Sequence, residues 1–132
     1  MNIEFLSGDS YSPLVLAYIG DAVFELYVRS EIVAKKNVPV NKLHREATSM
    51  VKAKAQSEMV DKIMPILSEE EIVIFKRGRN AHSYTSAKNA DIIDYRRATG
   101  FEALIGYLYI TKNIKRLDEI ISYSIGNDKN EV

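Results

Sequence analysis

The run Leu16-Ala17-Tyr18-Ile19-Gly20-Asp21-Ala22-Val23-Phe24-Glu25-Leu26-Tyr27 is almost wholly apolar, yet it sets a carboxylate beside a glycine. A charge in an apolar helix costs several kcal/mol unless a cation, a basic partner or a bound proton offsets it. Glycine in a helix interior costs about 1 kcal/mol relative to alanine, and the usual compensation is close approach of another backbone. A second run repeats the combination, Phe101-Glu102-Ala103-Leu104-Ile105-Gly106-Tyr107-Leu108-Tyr109. Glu102 and Gly106 stand one helical turn apart on one face. The two runs are therefore expected to be helices that cross closely and bring Asp21 and Glu102 side by side.

The remaining pattern is helical throughout. Residues 1–11 read as an irregular stretch or docking arm. Ser12-Pro13 reads as an N-cap followed by proline at the first helical position, opening a helix from about Pro13 to Lys36. That helix is apolar nearly all round, which predicts the central, buried position. Asp21, Glu25 and Arg29 form its polar stripe, with Glu25 and Arg29 as a solvated i,i+4 pair. A second helix is expected from Pro39 to about Ile63, with Leu43, Ala47, Met50, Val51, Met59 and Ile63 inward. Lys42, His44, Arg45, Lys52 and Lys54 decorate its other side, as a solvated face or a contact for a polyanion. Ser68-Glu69-Glu70-Glu71 is a capping box opening a short helix that ends in Lys76-Arg77-Gly78-Arg79-Asn80-Ala81-His82. The polar stretch to Ala90 reads as the one real loop. A long helix follows from about Asp91 to Lys112. A last amphipathic helix runs from Ile114 to Ile125, with Leu117, Ile120, Ile121 and Ile125 inward. Nothing alternates like a strand, so the expected fold is all-α, in one domain spanning residues 1–132.

Composition narrows the function. The 132 residues contain no cysteine, which removes disulfides and thiolate zinc sites and suits a cytoplasmic protein. Asp21, Glu25 and Arg29 interrupt the best membrane-span candidate, and the N-terminus has no basic leader. Lysine and arginine number 18 against 18 acids, so the whole chain is not a basic nucleic-acid binder. The balance is local instead. Between residues 76 and 97 the six bases Lys76, Arg77, Arg79, Lys88, Arg96 and Arg97 face two acids, Asp91 and Asp94, an excess of four positive charges. Bases interleaved with Asn, Ser, Thr, His and Tyr suit phosphates and 2′-hydroxyls, and they equally suit a solvated, mobile loop.

Three chemistries fit adjacent carboxylates: structural acids, an acid–base dyad sharing a proton, or oxygen ligands for a hard divalent cation such as Mg²⁺. With no cysteine and only His44 and His82, zinc is disfavoured. A basic, polar loop elsewhere in the chain suggests a phosphate-bearing substrate, which favours Mg²⁺.

Leu16 to Leu26, with Tyr18-Ile19-Gly20-Asp21-Ala22-Val23 at its centre, resembles the signature helix of the ribonuclease III family. The likeness is greatest to its small branch, which has the catalytic domain without a double-stranded-RNA-binding domain. Lys76-Arg77-Gly78-Arg79-Asn80-Ala81 is similar to that branch's basic motif. So are Lys88-Asn89-x-Asp91, Tyr95-Arg96 and the run from Thr99 to Leu108. The resemblance covers about Leu14 to Ile121. It implies a Mg²⁺-dependent endonuclease, working as a homodimer, that cuts double-stranded RNA to leave a 5′-phosphate and a 3′-hydroxyl. It further implies a role in maturing the large-subunit (23S) ribosomal RNA precursor. Asp21 and Glu102 would be the catalytic, metal-binding acids. Lys76, Arg77, Arg79, Asn80, His82, Ser83, Lys88 and Asn89 would bind RNA. Larger members carry two further acids, at the positions of Ala17 and Thr99 here. The small branch carries the same replacements, which predict weaker Mg²⁺ binding. A non-catalytic, ribosome-associated relative with this fold is the alternative.

Overall fold

The computed structural model describes residues 2–81 and 91–126. Ser12 accepts a hydrogen bond from the Val15 amide at 3.3 Å, and Pro13 occupies the first turn, so α1 starts there and runs Pro13–Lys35. Then come α2 (Val40–Val51), α3 (Ala53–Ile63), a 3₁₀ turn at Met64–Ile66, α4 (Glu69–Asn80), α5 (Asp91–Ile110) and α6 (Ile114–Ile125). The Ser68 capping box forms as expected: its hydroxyl accepts from the Glu71 amide at 3.1 Å, and Glu71 accepts from the Ser68 amide at 2.9 Å. Gly126, at φ 79°, supplies the left-handed C-cap of α6. The described residues are all-α.

Two expectations are corrected. The helix expected from Pro39 to Ile63 is two helices, because Lys52 is extended (φ −68°, ψ 158°). No proline or glycine marks the break. It is possible because the Gln56 side chain donates to the Val51 carbonyl at 2.8 Å, satisfying a group the broken helix would otherwise orphan. The break frees α3 to lay Gln56, Ser57, Met59, Val60 and Ile63 into the interior, whereas α2 buries only Ala47.

The central helix is α5, not α1. Helices α1, α3, α4 and α6 all pack on α5, which buries Phe101, Ala103, Leu104 and Ile105 completely. Helix α1 buries one face, through Leu16, Val23, Phe24, Val28 and Ile32. Its apolar excess goes to the surface, where Tyr18 is 82%, Leu26 65% and Val33 61% exposed. Phe24 of α1 meets Phe101 of α5 edge-to-face, with ring centroids 5.1 Å apart.

The ends are tied down. Phe5 packs edge-on against Tyr109, so the N-terminal stretch is a docking arm. Arg116 of α6 forks onto Glu71, with Nε and Nη2 each 2.8 Å from a carboxylate oxygen, and Nη2 also donates to the Ile66 carbonyl at 2.7 Å. That clamp joins α6 to the start of α4 and holds the Glu71 carboxyl below its ordinary range.

Candidate active site

The α1–α5 crossing is backbone on backbone. A methyl group on Gly20 would overlap the Glu102 carbonyl oxygen and lie 2.8 Å from the Gly106 amide nitrogen. A methyl on Gly106 would overlap the Leu16 carbonyl oxygen. Each glycine thus fills the gap opposite the other helix's main chain, as the sequence led us to expect. The residue after Gly20 is Asp21, and Glu102 is one turn before Gly106, so the crossing brings the two carboxylates within hydrogen-bonding reach.

The two acids sit in different surroundings. Asp21 is exposed and Glu102 is partly buried. Glu102 Oε2 accepts a hydrogen bond from Gln56 Nε2 at 3.0 Å. Burial pushes the Glu102 carboxyl up to about 7, and the charge and hydrogen bond of Asp21 add to this, while Gln56 works against it. Near neutral pH this pair either shares a proton or awaits a cation. Among the described residues no third His, Asp or Glu joins it into a larger metal-binding cluster. Two carboxylates are enough for Mg²⁺, which keeps several waters and takes only one or two such ligands, so the donor set fits that ion.

Ala17, one turn before Asp21, is buried. The Thr99 hydroxyl donates to the Tyr95 carbonyl at 3.0 Å, a bond back along its own helix.

The basic motif ends α4. Lys76, Arg77 and Asn80 are exposed there. Arg79 Nε donates to Asn80 Oδ1 at 3.0 Å, and its guanidinium lies 5.9 Å over the Phe75 ring. Gly78 at the motif's centre is buried: a methyl there would lie 2.7 Å from Ala103 Cβ and 3.0 Å from Gly100 Cα. The glycine seats the basic turn on α5, within a turn of Glu102. His82, Ser83, Lys88 and Asn89 lie outside the described residues.

Two side chains change roles. Arg97, counted above in the local positive excess, is bound within the fold: Nε donates to Ser57 Oγ at 2.8 Å and Nη2 pairs with Asp61 at 2.6 Å. Gln56 was not singled out in the sequence, yet it is 2% exposed and touches Glu102. Its only signal was a polar residue three and seven positions before Met59 and Ile63, on an inward stripe. The Glu25–Arg29 pair forms at 2.8 Å on the surface, as expected. No described helix is long and apolar enough to cross a membrane.

A family model of the ribonuclease III domain matches residues 14–113. The Mini-ribonuclease 3 of Thermoanaerobacter sp. (strain X514) is 54% identical, over 94% of this chain and 89% of that protein. The Mini-ribonuclease 3 of Clostridium tetani (strain Massachusetts / E88) is 56% identical, over 92% and 83%. Among solved structures, protein FN1578 from Fusobacterium nucleatum aligns with a TM-score of 0.78 at 33% identity, covering 93% of this chain and 96% of that one.

Proposed function

The chain belongs to the ribonuclease III family, in its Mini-ribonuclease 3 branch, and on that premise we propose that it is an endoribonuclease that cuts double-stranded RNA at the Asp21–Glu102 pair. The observation that carries this reading is the contact between those two acids, held by a crossing with no side-chain slack. Asp21 and Glu102 would hold Mg²⁺. When bound, the ion would supply Lewis acidity at the scissile phosphate and a water acidic enough to attack at neutral pH.

The chain's own residues do the rest. Glu102, partly buried and fixed by Gln56, presents its carboxylate beside the exposed Asp21. Lys76, Arg77 and Arg79 offer positive charge to the RNA backbone from a turn that Gly78 holds against α5. Such a grip recognises an A-form duplex by its shape and 2′-hydroxyls. His82, Ser83, Lys88 and Asn89 belong to the same proposed RNA contact. Hydrolysis that breaks the P–O3′ bond leaves a 5′-phosphate and a 3′-hydroxyl.

The exposed apolar face of α1, through Tyr18, Leu26 and Val33, suits a two-fold homodimer that cuts both strands. Leu26→Glu should then halve the mass measured by sedimentation, and an unchanged mass would remove this face as the interface. Membership of the branch supports maturation of the large-subunit ribosomal RNA precursor in the cytoplasm. A cell lacking the protein should accumulate that precursor with unprocessed ends, and normal ends would rule this substrate out.

The deciding experiment incubates a long double-stranded RNA with the protein in Mg²⁺ or chelator, beside Asp21→Asn. The expected result is metal-dependent cleavage lost in the variant while duplex binding persists. Unchanged cleavage by the variant would overturn the assignment. Binding without cleavage by the unaltered protein would favour a non-catalytic RNA-binding relative, with Ala17 and Thr99 marking the lost acids.

A further inference from the structure

We propose that Gln56 is a positioning residue for the active site: its side-chain amide locks the Glu102 carboxylate to the α2–α3 joint and so sets the orientation in which Glu102 meets its cation. This rests on the reading of Asp21 and Glu102 as metal ligands.

The geometry is specific. Gln56 is 2% exposed, and its single NH₂ group donates twice, to the Val51 carbonyl at 2.8 Å and to Glu102 Oε2 at 3.0 Å. The Val51 carbonyl is an acceptor only, so the amide orientation is forced: turned over, the Gln56 side-chain oxygen would face another oxygen. That fixed orientation leaves Gln56 Oε1 buried without a hydrogen-bond partner among the described residues. Leaving a buried carbonyl oxygen unpaired is destabilising, because the desolvation of its lone pairs goes uncompensated. A glutamine used only to close a helix break could be replaced by a side chain without that cost. What the glutamine adds is the hold on Glu102. It engages one carboxylate oxygen, Oε2. Its own anchor is the Val51 carbonyl, freed only because Lys52 is extended. The break in the helix and the orientation of the acid are therefore one construction.

Outer residues that hold a metal ligand typically change metal affinity or activity about 10–100-fold when removed. Gln56→Met preserves length and volume and removes both hydrogen bonds. The variant should remain folded and bind duplex RNA within about twofold of the parent, since the basic turn of α4 is untouched. Its kcat should fall about 10–100-fold, and the Mg²⁺ concentration giving half-maximal rate should rise about tenfold. A folded Gln56→Met with the parent's kcat and Mg²⁺ midpoint would overturn the proposal.

A second readout needs neither activity nor metal. In metal-free protein, side-chain NMR couplings of Glu102 should report one rotamer in the parent and averaging in Gln56→Met. A single unchanged rotamer would overturn the proposal even if the parent were inactive, whereas a parent that neither cleaves RNA nor responds to Mg²⁺ would defeat only the functional reading. Should Gln56→Met fail to fold, Gln56→Leu takes its place. It carries neither of the two bonds, and the same averaging of Glu102 is expected.

Discussion

Gly20 and Gly106 meet across the α1–α5 crossing with no side chain between them: a methyl on Gly20 would lie 2.8 Å from the Gly106 nitrogen and overlap the Glu102 carbonyl. Alanine normally favours a helix by about 1 kcal/mol over glycine, but here overpacking against rigid main chain reverses the sign. Gly20→Ala and Gly106→Ala should each destabilise by about 3 kcal/mol, read from urea unfolding, and should abolish cleavage by parting the acids. Gly8 is the control. A methyl there meets the Tyr107 ring edge and the Thr111 methyl, which can move, so Gly8→Ala should cost less than about 1 kcal/mol. Equal costs at all three sites would refute the backbone-contact account.

Glu102 makes stability depend on pH in an unusual direction. Its carboxyl titrates near 7 when folded, against an ordinary value of 4.5. Between those values the folded state keeps a proton that the unfolded state has released, so stability falls as pH rises from 4.5 to 7 and the penalty is complete above 7. Glu102→Gln should therefore be more stable than the parent at pH 8, by about 2 kcal/mol, with the gap closing by pH 4.5. Mg²⁺ at about ten times its dissociation constant should restore about 1.4 kcal/mol to the parent at pH 8 and little to Glu102→Gln. Thermal melts across pH, with and without the ion, test both statements.

Glu71 has the opposite sign. The Arg116 hydrogen bonds hold its carboxyl below its ordinary value. Its contribution is present above pH 4.5 and is lost as pH falls through the lower folded-state value. Arg116→Met breaks the clamp, leaves the half-buried Ile66 carbonyl without that donor, and should cost about 3 kcal/mol at neutral pH. Acid titration of the variant should show a shallower loss of stability than the parent. A parallel loss would mean that Glu71 is not the group responsible.

The Arg77→Ala, Arg79→Ala double variant should leave folding nearly unchanged, because neither residue forms an ion pair among the described residues. Duplex affinity should fall at least about tenfold, and the dependence of log affinity on log salt should flatten by about 2, one unit for each phosphate contact removed. Unchanged affinity and slope would place the RNA contact elsewhere.

What the sequence made legible was whatever depends on local chemistry. The Ser12 and Ser68 caps, the Glu25–Arg29 pair and the inward stripe of α6 all follow from spacing within one helix. The glycine–acid pairs were also legible, because each breaks a local rule and only a distant partner justifies it. Three features were not. Lys52 interrupts a helix without proline or glycine, because its cause is a side chain four residues on that serves a bond to α5. The rank of α1 and α5 was inverted, because an apolar face turned to the surface reads like one turned to the core. Arg97 looked like a free cation, because Ser57 and Asp61, its partners, are remote in the chain.

The glycine crossing also has a consequence for how such a chain can diverge. Side chains in a core drift over generations, and each exchange shifts its neighbours by fractions of an ångström. A distance set by main chain against main chain does not inherit those shifts, since every residue type has the same backbone. The gap between the two acids is thus insulated from most of the substitutions the rest of the domain accumulates. The cost of that insulation is concentrated at Gly20 and Gly106, two positions at which almost no alternative residue is open.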